Sequence, residues 1–354
     1  MNQTTLTEKA ISLLKTLISL QSFSGEEDKT ADAIEDWLKH FNIPFERILN
    51  NVFAKNKYWD DAKPTLLLNS HHDTVKPNKA YTKDPFHPHI EDGKLYGLGS
   101  NDAGGCLVSL LATFVHFYEA KNLNHNILMV ASMEEENAGE NSLRGLLPKL
   151  PHIDVAIVGE PTLMQLAIAE KGLVVFDAIV KGTPSHAAHP NDNNSIYNTI
   201  KVLEWFKNYS FDKGSEALGD VKLTVTQVNA GSQHNVVPSQ VELVVDVRVN
   251  DAYSNKEIAD LLKAEAPCEI MERGLKLNSS KIDKNHALVQ SGIALGRTTY
   301  GSPTLSDQAA LTCQSLKLGP GDSTRSHSAD EFIYVNEIEE GIDLYIKILK
   351  GFLQ

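Results

Sequence analysis

The amino-acid sequence predicts an α/β protein with a mostly parallel sheet, interrupted by an inserted domain in the ferredoxin-like β-α-β-β-α-β order. Apolar runs of strand length recur at residues 65–68, 127–131 and 155–158, with a helix-length stretch between the first two. Strands alternating with helices are the pattern of a parallel sheet. From residue 173 the alternation gives way to strand, helix, two strands, helix and strand, which is the split β-α-β arrangement.

Each element has a local reason. Residues 7–20 carry helical periodicity through Leu6, Ile11, Leu14 and Ile18, and 27–41 form a second amphipathic pattern. Ser24-Gly25-Glu26-Glu27 between them offers turn and capping chemistry. Residues 103–121 read as a long helix. Within the insert, 174–181, 221–229, 241–249 and 268–277 read as strands, and 195–206 and 254–264 as helices. The remainder contains a glycine-rich loop at 318–322 and ends in an amphipathic helix, 338–352, that returns to the first domain. The expected organisation is a discontinuous domain of residues 1–172 plus 283–354, with 173–282 inserted.

Composition narrows the partners. The net charge is −13, with 46 acidic and 33 basic residues interspersed. Nucleic acid and anionic membranes need a basic face, so neither is an expected partner. Cys106, Cys268 and Cys313 are far apart and contain no C-x-x-C pair, which suits a reducing compartment. Residues 1–10 are polar, and no apolar run approaches the ~20 residues of a membrane span. A cytoplasmic location is the expectation.

The chemistry-bearing residues follow the strands. In Asn69-Ser70-His71-His72-Asp73, strand alternation sets His71 and Asp73 on one face and His72 on the other. This is either a metal ligand with a carboxylate to orient it or a buried His–Asp hydrogen bond. Glu134-Glu135-Glu136 follows the second strand and Glu160 the third, and in open α/β sheets active sites lie beyond the strands' carboxyl ends. The glutamate run is either a solvated face or a ligand beside a general base. Asp102 sits among Gly97, Gly99, Gly104 and Gly105, as a helix N-cap or as a carboxylate bridging two cations. His327 lies in a loop rich in turn-forming residues. Two histidines and three carboxylates would suit zinc, cobalt or manganese, and a bridging acid suits two metals ~3.5–4 Å apart.

These blocks, in this order, resemble those of the zinc-dependent deacylases and exopeptidases that include acetylornithine deacetylase, succinyl-diaminopimelate desuccinylase and carboxypeptidase G. Ser70-His71-His72-Asp73-Thr74-Val75 is similar to the family's first block and Asp92-Gly93-Lys94-Leu95-Tyr96-Gly97-Leu98-Gly99-Ser100-Asn101-Asp102 to its second. Gly159-Glu160-Pro161-Thr162 and the His327 loop complete the set. The resemblance implies a zinc-exopeptidase-like catalytic domain and an inserted dimerisation or lid domain, working as a homodimer with two divalent metals, zinc or cobalt. It implies His71 and Glu160 on one metal, Glu136 and His327 on the other, Asp102 bridging, Asp73 orienting His71, and Glu135 as general base. A one-residue slip, to Glu134 and Glu135, stays open.

Within the insert, His186 resembles the family's oxyanion histidine, which in dimeric relatives reaches the neighbouring subunit's site. Asn235 and Arg248 resemble its substrate contacts. Two positions depart from the pattern: Ser70 stands where glycine is usual, and Leu98 where arginine is frequent. His72, His189 and Arg325 receive no role. The loop Gly319-Pro320-Gly321-Asp322 through His327-Ser328-Ala329-Asp330-Glu331 looks most like that of acetylornithine deacetylase. The implied substrate is an N-acetyl- or N-succinyl-ornithine or -citrulline of arginine biosynthesis. The alternatives are succinyl-diaminopimelate desuccinylase, acyl-lysine deacylase, metallo-exopeptidase and, more remotely, an inactive scaffold.

Overall fold

The computed structural model describes residues 3–354. It divides into a first unit of residues up to Ile168 with Lys281–Tyr300 and Ser306–Gln354, and a second of Ala169–Ser280 with Gly301–Leu305. The second unit thus begins at residue 169 rather than 173 and takes in a short return segment. Within it the Lys171 N–H donates to the Ser302 carbonyl at 3.1 Å.

In the first unit the sheet runs in the order Glu46–Ile48, Asn51–Lys55, Asn126–Ser132, Thr65–His71, Val155–Val158, Gln314–Lys317. The last four of these strands are parallel. Both faces are covered, which is why the strands are continuously apolar. Leu66 and Leu68 enter one core with Leu14, Ile34, Phe114 and Tyr345, while Leu67 enters another with Phe53, Leu128 and Leu146. The Gly105–Phe117 helix is buried almost throughout. It starts two residues later than the sequence pattern suggests, because the backbone at Asp102 and Ala103 is not helical.

The register places three strand ends side by side. His71 lies opposite Ser132, and Asn69 opposite Val158. The first strand continues past its apolar run because its polar residues are satisfied internally. Ser70 Oγ donates to the Gly159 carbonyl at 2.8 Å. A Cβ at Gly159 would stand 2.7 Å from Leu110 and 3.1 Å from the Ser70 Cβ, so glycine is what lets this strand end close in. Ser70, which stands where glycine is usual, therefore ties the ends of these two strands together.

Ser24 does not cap the Asp28–His40 helix, whose N-cap, Glu27, makes no side-chain cap bond. Ser24 Oγ donates instead to Asp73 Oδ2 at 2.7 Å. Local sequence suggested a cap, and a residue 49 positions away captured the hydroxyl.

The second unit holds an antiparallel sheet ordered Lys222–Ala230, Gln240–Val249, Gly172–Lys181, Glu269–Glu272. With the Ser195–Asn208 and Asn255–Glu265 helices this is the ferredoxin-like arrangement. Val174, Phe176, Ala178 and Val180 alternate inward and pack with Val202, Phe206, Val245 and Ile258. Among the described residues no helix is long and apolar enough to cross a membrane.

His72 illustrates a histidine used for structure. Its Nε2 donates to the Asn50 carbonyl at 2.9 Å, and Nδ1 faces Thr30 Oγ1 at 2.8 Å. Burial pushes its pKa down to about 4. A depressed histidine pKa means that the unfolded chain binds the extra proton. Stability is therefore complete above the unfolded pKa of ~6.5 and falls as pH drops toward about 4, by at most ~1.4 kcal/mol per pH unit. Urea denaturation across pH 4–7 is expected to show this slope reduced in His72→Gln; an unchanged slope would remove His72 as its source.

Candidate metal centre

His71 ends its strand with the ring fully enclosed. Nδ1 lies 3.0 Å from the Asp73 carbonyl and 3.3 Å from Asp73 Oδ1, two acceptors that fix the proton on that nitrogen. Nε2 is thereby aimed into a group of carboxylates. It lies 3.3 Å from Asp102 Oδ1, 3.8 Å from Glu160 Oε1 and 4.0 Å from Glu135 Oε2.

Asp73 also receives the backbone N–H groups of Glu135, on Oδ1, and Glu136, on Oδ2, each at 3.1 Å. Glu27 Oε1 accepts the next N–H back, that of Glu134, at 3.2 Å. The glutamate turn is thus held by two buried acids. Glu134 adopts φ +53°, and its carboxylate accepts from the Asn141 backbone and side chain at 3.1 and 3.2 Å. Glu135 and Glu136 point the other way, into the cluster.

Asp102 is not an N-cap, since the helix begins at Gly105 and its N-terminus has no side-chain cap bond. Its loop is built around glycines. Gly99 has φ +74°, and a Cβ there would meet Thr74 Cγ2 at 2.6 Å. A Cβ at Gly104 would meet the Gly99 carbonyl at 2.4 Å. The two oxygens of Asp102 face different imidazoles: Oδ1 faces His71 at 3.3 Å and Oδ2 faces His327 Nε2 at 3.6 Å. His327 Nε2 also lies 3.0 and 3.2 Å from the two oxygens of Glu136.

Potential ligand atoms of His71, Asp102 and Glu136 lie within 4.8 Å of one another, as do those of His71, Glu135 and Glu160. The first unit therefore brings together His71, Asp73, Asp102, Glu135, Glu136, Glu160 and His327. His186, Asn235 and Arg248 belong to the second unit. His186 is exposed and pairs with Val236 in a two-residue ladder, where the Ala187 N–H donates to the Asn235 carbonyl at 2.9 Å. The Arg248 guanidinium is already engaged by Asp246, through bonds of 2.9 and 3.1 Å.

The electrostatics show a site short of positive charge. Burial and the charge of Asp102 push Glu160 up to about 8, and burial carries Glu135 well above the usual carboxylate range. Burial opposes protonation of His71, but its hydrogen bonds to Asp102 and Asp73 outweigh that and raise its pKa well above the ordinary value. The bond to Glu136 raises His327 to about 9. Four carboxylates facing two imidazoles, one with its free nitrogen fixed inward, form a donor set that fits divalent cations.

Sequence reasoning passed over the acids that hold this arrangement. Glu331 accepts from the N–H groups of Asn101, Asp102 and Gly99, and burial takes its pKa to about 8. Asp307, raised by burial to about 6, accepts from Ser132 Oγ at 2.6 Å. Arg325 is paired through both terminal nitrogens with Glu337 at 2.7 Å. None of these has a local spacing signal; the His327–Glu331 separation was visible but had no partner to give it meaning.

Known proteins agree with this architecture. A succinyl-diaminopimelate desuccinylase of Rickettsia bellii is 25% identical over 374 aligned residues, covering 95% of each chain. A tripeptidase from Staphylococcus aureus superposes with a TM-score of 0.77 at 19% identity, covering 97% of this chain and 98% of that one. A dinuclear metal binding peptidase of the M20 family from Bacillus subtilis superposes at 0.75 and 16% identity, covering 99% and 98%. At such identities the structural likeness speaks for the fold. The model of peptidase family M20/M25/M40 matches residues 67–351, so the chain belongs to that family.

Proposed function

We propose that this protein is a metal-dependent deacylase that hydrolyses the amide of an N-acyl amino acid. The observation that carries the reading is Glu135, a shielded carboxylate set 4.0 Å from His71 beside Glu160, with its backbone clamped by Asp73. In this reading His71 and Glu160 would hold one divalent cation and Glu136 and His327 the other, with Asp102, whose two oxygens face the two imidazoles, shared between them. Zinc is the assignment, with cobalt as the alternative. Bound there, the cations supply Lewis-acid polarisation of the amide carbonyl and acidify water.

The chain's own groups do the proton work. Glu135 accepts a proton from the attacking water as its oxygen bonds to the acyl carbon. It returns that proton to the departing nitrogen as the C–N bond breaks, releasing a carboxylic acid and a free amine. Asp73 keeps the His71 proton on Nδ1 and so holds the ring in place. His186 is assigned to the oxyanion, Asn235 and Arg248 to the substrate. Arg248 would take a substrate carboxylate in competition with Asp246. The slipped register is disfavoured because Asn141 occupies the Glu134 carboxylate. A scaffold role is disfavoured by the competence of every ligand and of the base.

The 319–331 loop supports an N-acetyl- or N-succinyl-ornithine or -citrulline substrate, hence arginine biosynthesis. A second reading, N-succinyl-diaminopimelate and lysine biosynthesis, is supported by the Rickettsia relative. A homodimer is supported by the second unit's surface. Ile196, Tyr197 and Ile200 are 45%, 69% and 56% exposed on one helix, which packs beside the exposed edge strand Lys222–Ala230.

Glu135→Gln is expected to lower kcat by at least ~10²-fold while metal content by elemental analysis stays that of the wild type. Near wild-type turnover would remove Glu135 as the base. A ninhydrin panel of N-acetyl and N-succinyl forms of ornithine, citrulline, lysine and diaminopimelate, with zinc or cobalt added, should show one ornithine or citrulline derivative with the highest kcat/KM. A preference for succinyl-diaminopimelate would select the second reading, and no amine release from the metal-loaded protein would favour the scaffold. Mixing inactive His186→Ala and Glu135→Gln proteins should restore activity; none, given demonstrated subunit exchange, would keep His186 out of a neighbour's site.

A further inference from the structure

Glu331 is the buried acid that holds the Asp102 backbone. It is 2% exposed, yet its carboxylate makes its bonds to backbone rather than to a basic side chain. Oε1 accepts from Asn101 at 2.8 Å and Asp102 at 2.9 Å, and Oε2 accepts from Gly99 at 3.2 Å. These N–H groups lie in the stretch where Gly99 has φ +74° and Asp102 and Ala103 leave helical geometry, so regular structure does not claim them. An unpaired buried N–H is costly, and a carboxylate with two oxygens can serve all three.

Glu331 also lies four residues after His327. One loop therefore supplies an imidazole facing Asp102 Oδ2 and the carboxylate that shapes the Asp102 backbone. The Asn101 side chain adds a second tie, donating to the Asp322 carbonyl at 3.0 Å and accepting from the Asp322 N–H at 3.1 Å. We propose that Glu331 is a positioning residue that fixes Asp102 across both cation positions, coupling the His71 and His327 halves of the site. This rests on the dinuclear reading above. A glutamine keeps one oxygen that can still accept from Asn101 and Asp102 but removes the charge and turns its N–H₂ toward the Gly99 N–H, which loosens the coupling without removing any ligand.

The test titrates metal-free protein with zinc by calorimetry, counts bound metal after dialysis, and records the visible spectrum with cobalt. E331Q should bind the second cation ~10–100-fold more weakly than the wild type, with a changed cobalt spectrum. The control is D330N, which takes the same charge from the neighbouring anchor of this loop to Thr82 and Lys83 but leaves the Asp102 contacts intact. It should bind both cations within a few-fold of the wild type. Wild-type affinities and spectrum in E331Q, or equal weakening in D330N, would overturn the assignment. Should E331Q fail to fold, E331D is judged by the same criteria. A wild-type protein that binds fewer than two cations would instead sink the dinuclear reading.

Discussion

The structure depends on crowding carboxylates at the end of a buried sheet. Asp102, Glu135 and Glu160 gather around one imidazole, and Glu136 and Asp102 around another. Burial and mutual repulsion make the ionised forms expensive. The fold accepts this because parallel strands deliver their carboxyl ends side by side, and because cations of higher charge than any side chain can relieve the repulsion. Burial and the neighbouring Asp102 charge push Glu160 up, while hydrogen bonds to carboxylates raise His71 and His327.

Such crowding is useful only if the backbone cannot relax away from it. Here the loops are fixed by buried acids that accept main-chain N–H groups. Glu27 takes Glu134, Asp73 takes Glu135 and Glu136, and Glu331 takes Gly99, Asn101 and Asp102. Charge-assisted bonds to backbone are strong and directional. Asp73 belongs to both schemes, since it also fixes the proton of His71.

What the sequence revealed and concealed follows from this division. The strands, the ferredoxin-like order of the second unit and the acids after each strand were legible because periodicity and adjacency are local properties. Glu331 and Glu27 were not, because their meaning lies in partners 229 and 107 residues away. The stretch 24–27 carries capping chemistry and Asp102 reads as a possible cap, since local rules reward these residue types at helix starts; for Ser24 and Asp102 a distant carboxylate or imidazole set the outcome. His72 gained its structural role only when Thr30 and Asn50 came to flank it.

The two imidazoles also show why one side chain needs so much more support than the other. The His71 side chain is 1% exposed and sits on a strand whose ladder and core already fix it, so a single acid completes its orientation. The His327 side chain is 55% exposed, on a loop with φ +58° and no ladder. Its position must be built from anchors on either side. Arg325, two residues before it, is locked to Glu337 and lies over the Phe332 and Tyr334 rings at 5.0 and 5.2 Å. Asp330, three residues after, accepts from Thr82 and Lys83, and Glu331 follows with its three N–H groups. A strand supplies precision through its neighbours. A loop must carry its own, which is why the charged residues flanking His327 hold the loop rather than the imidazole itself.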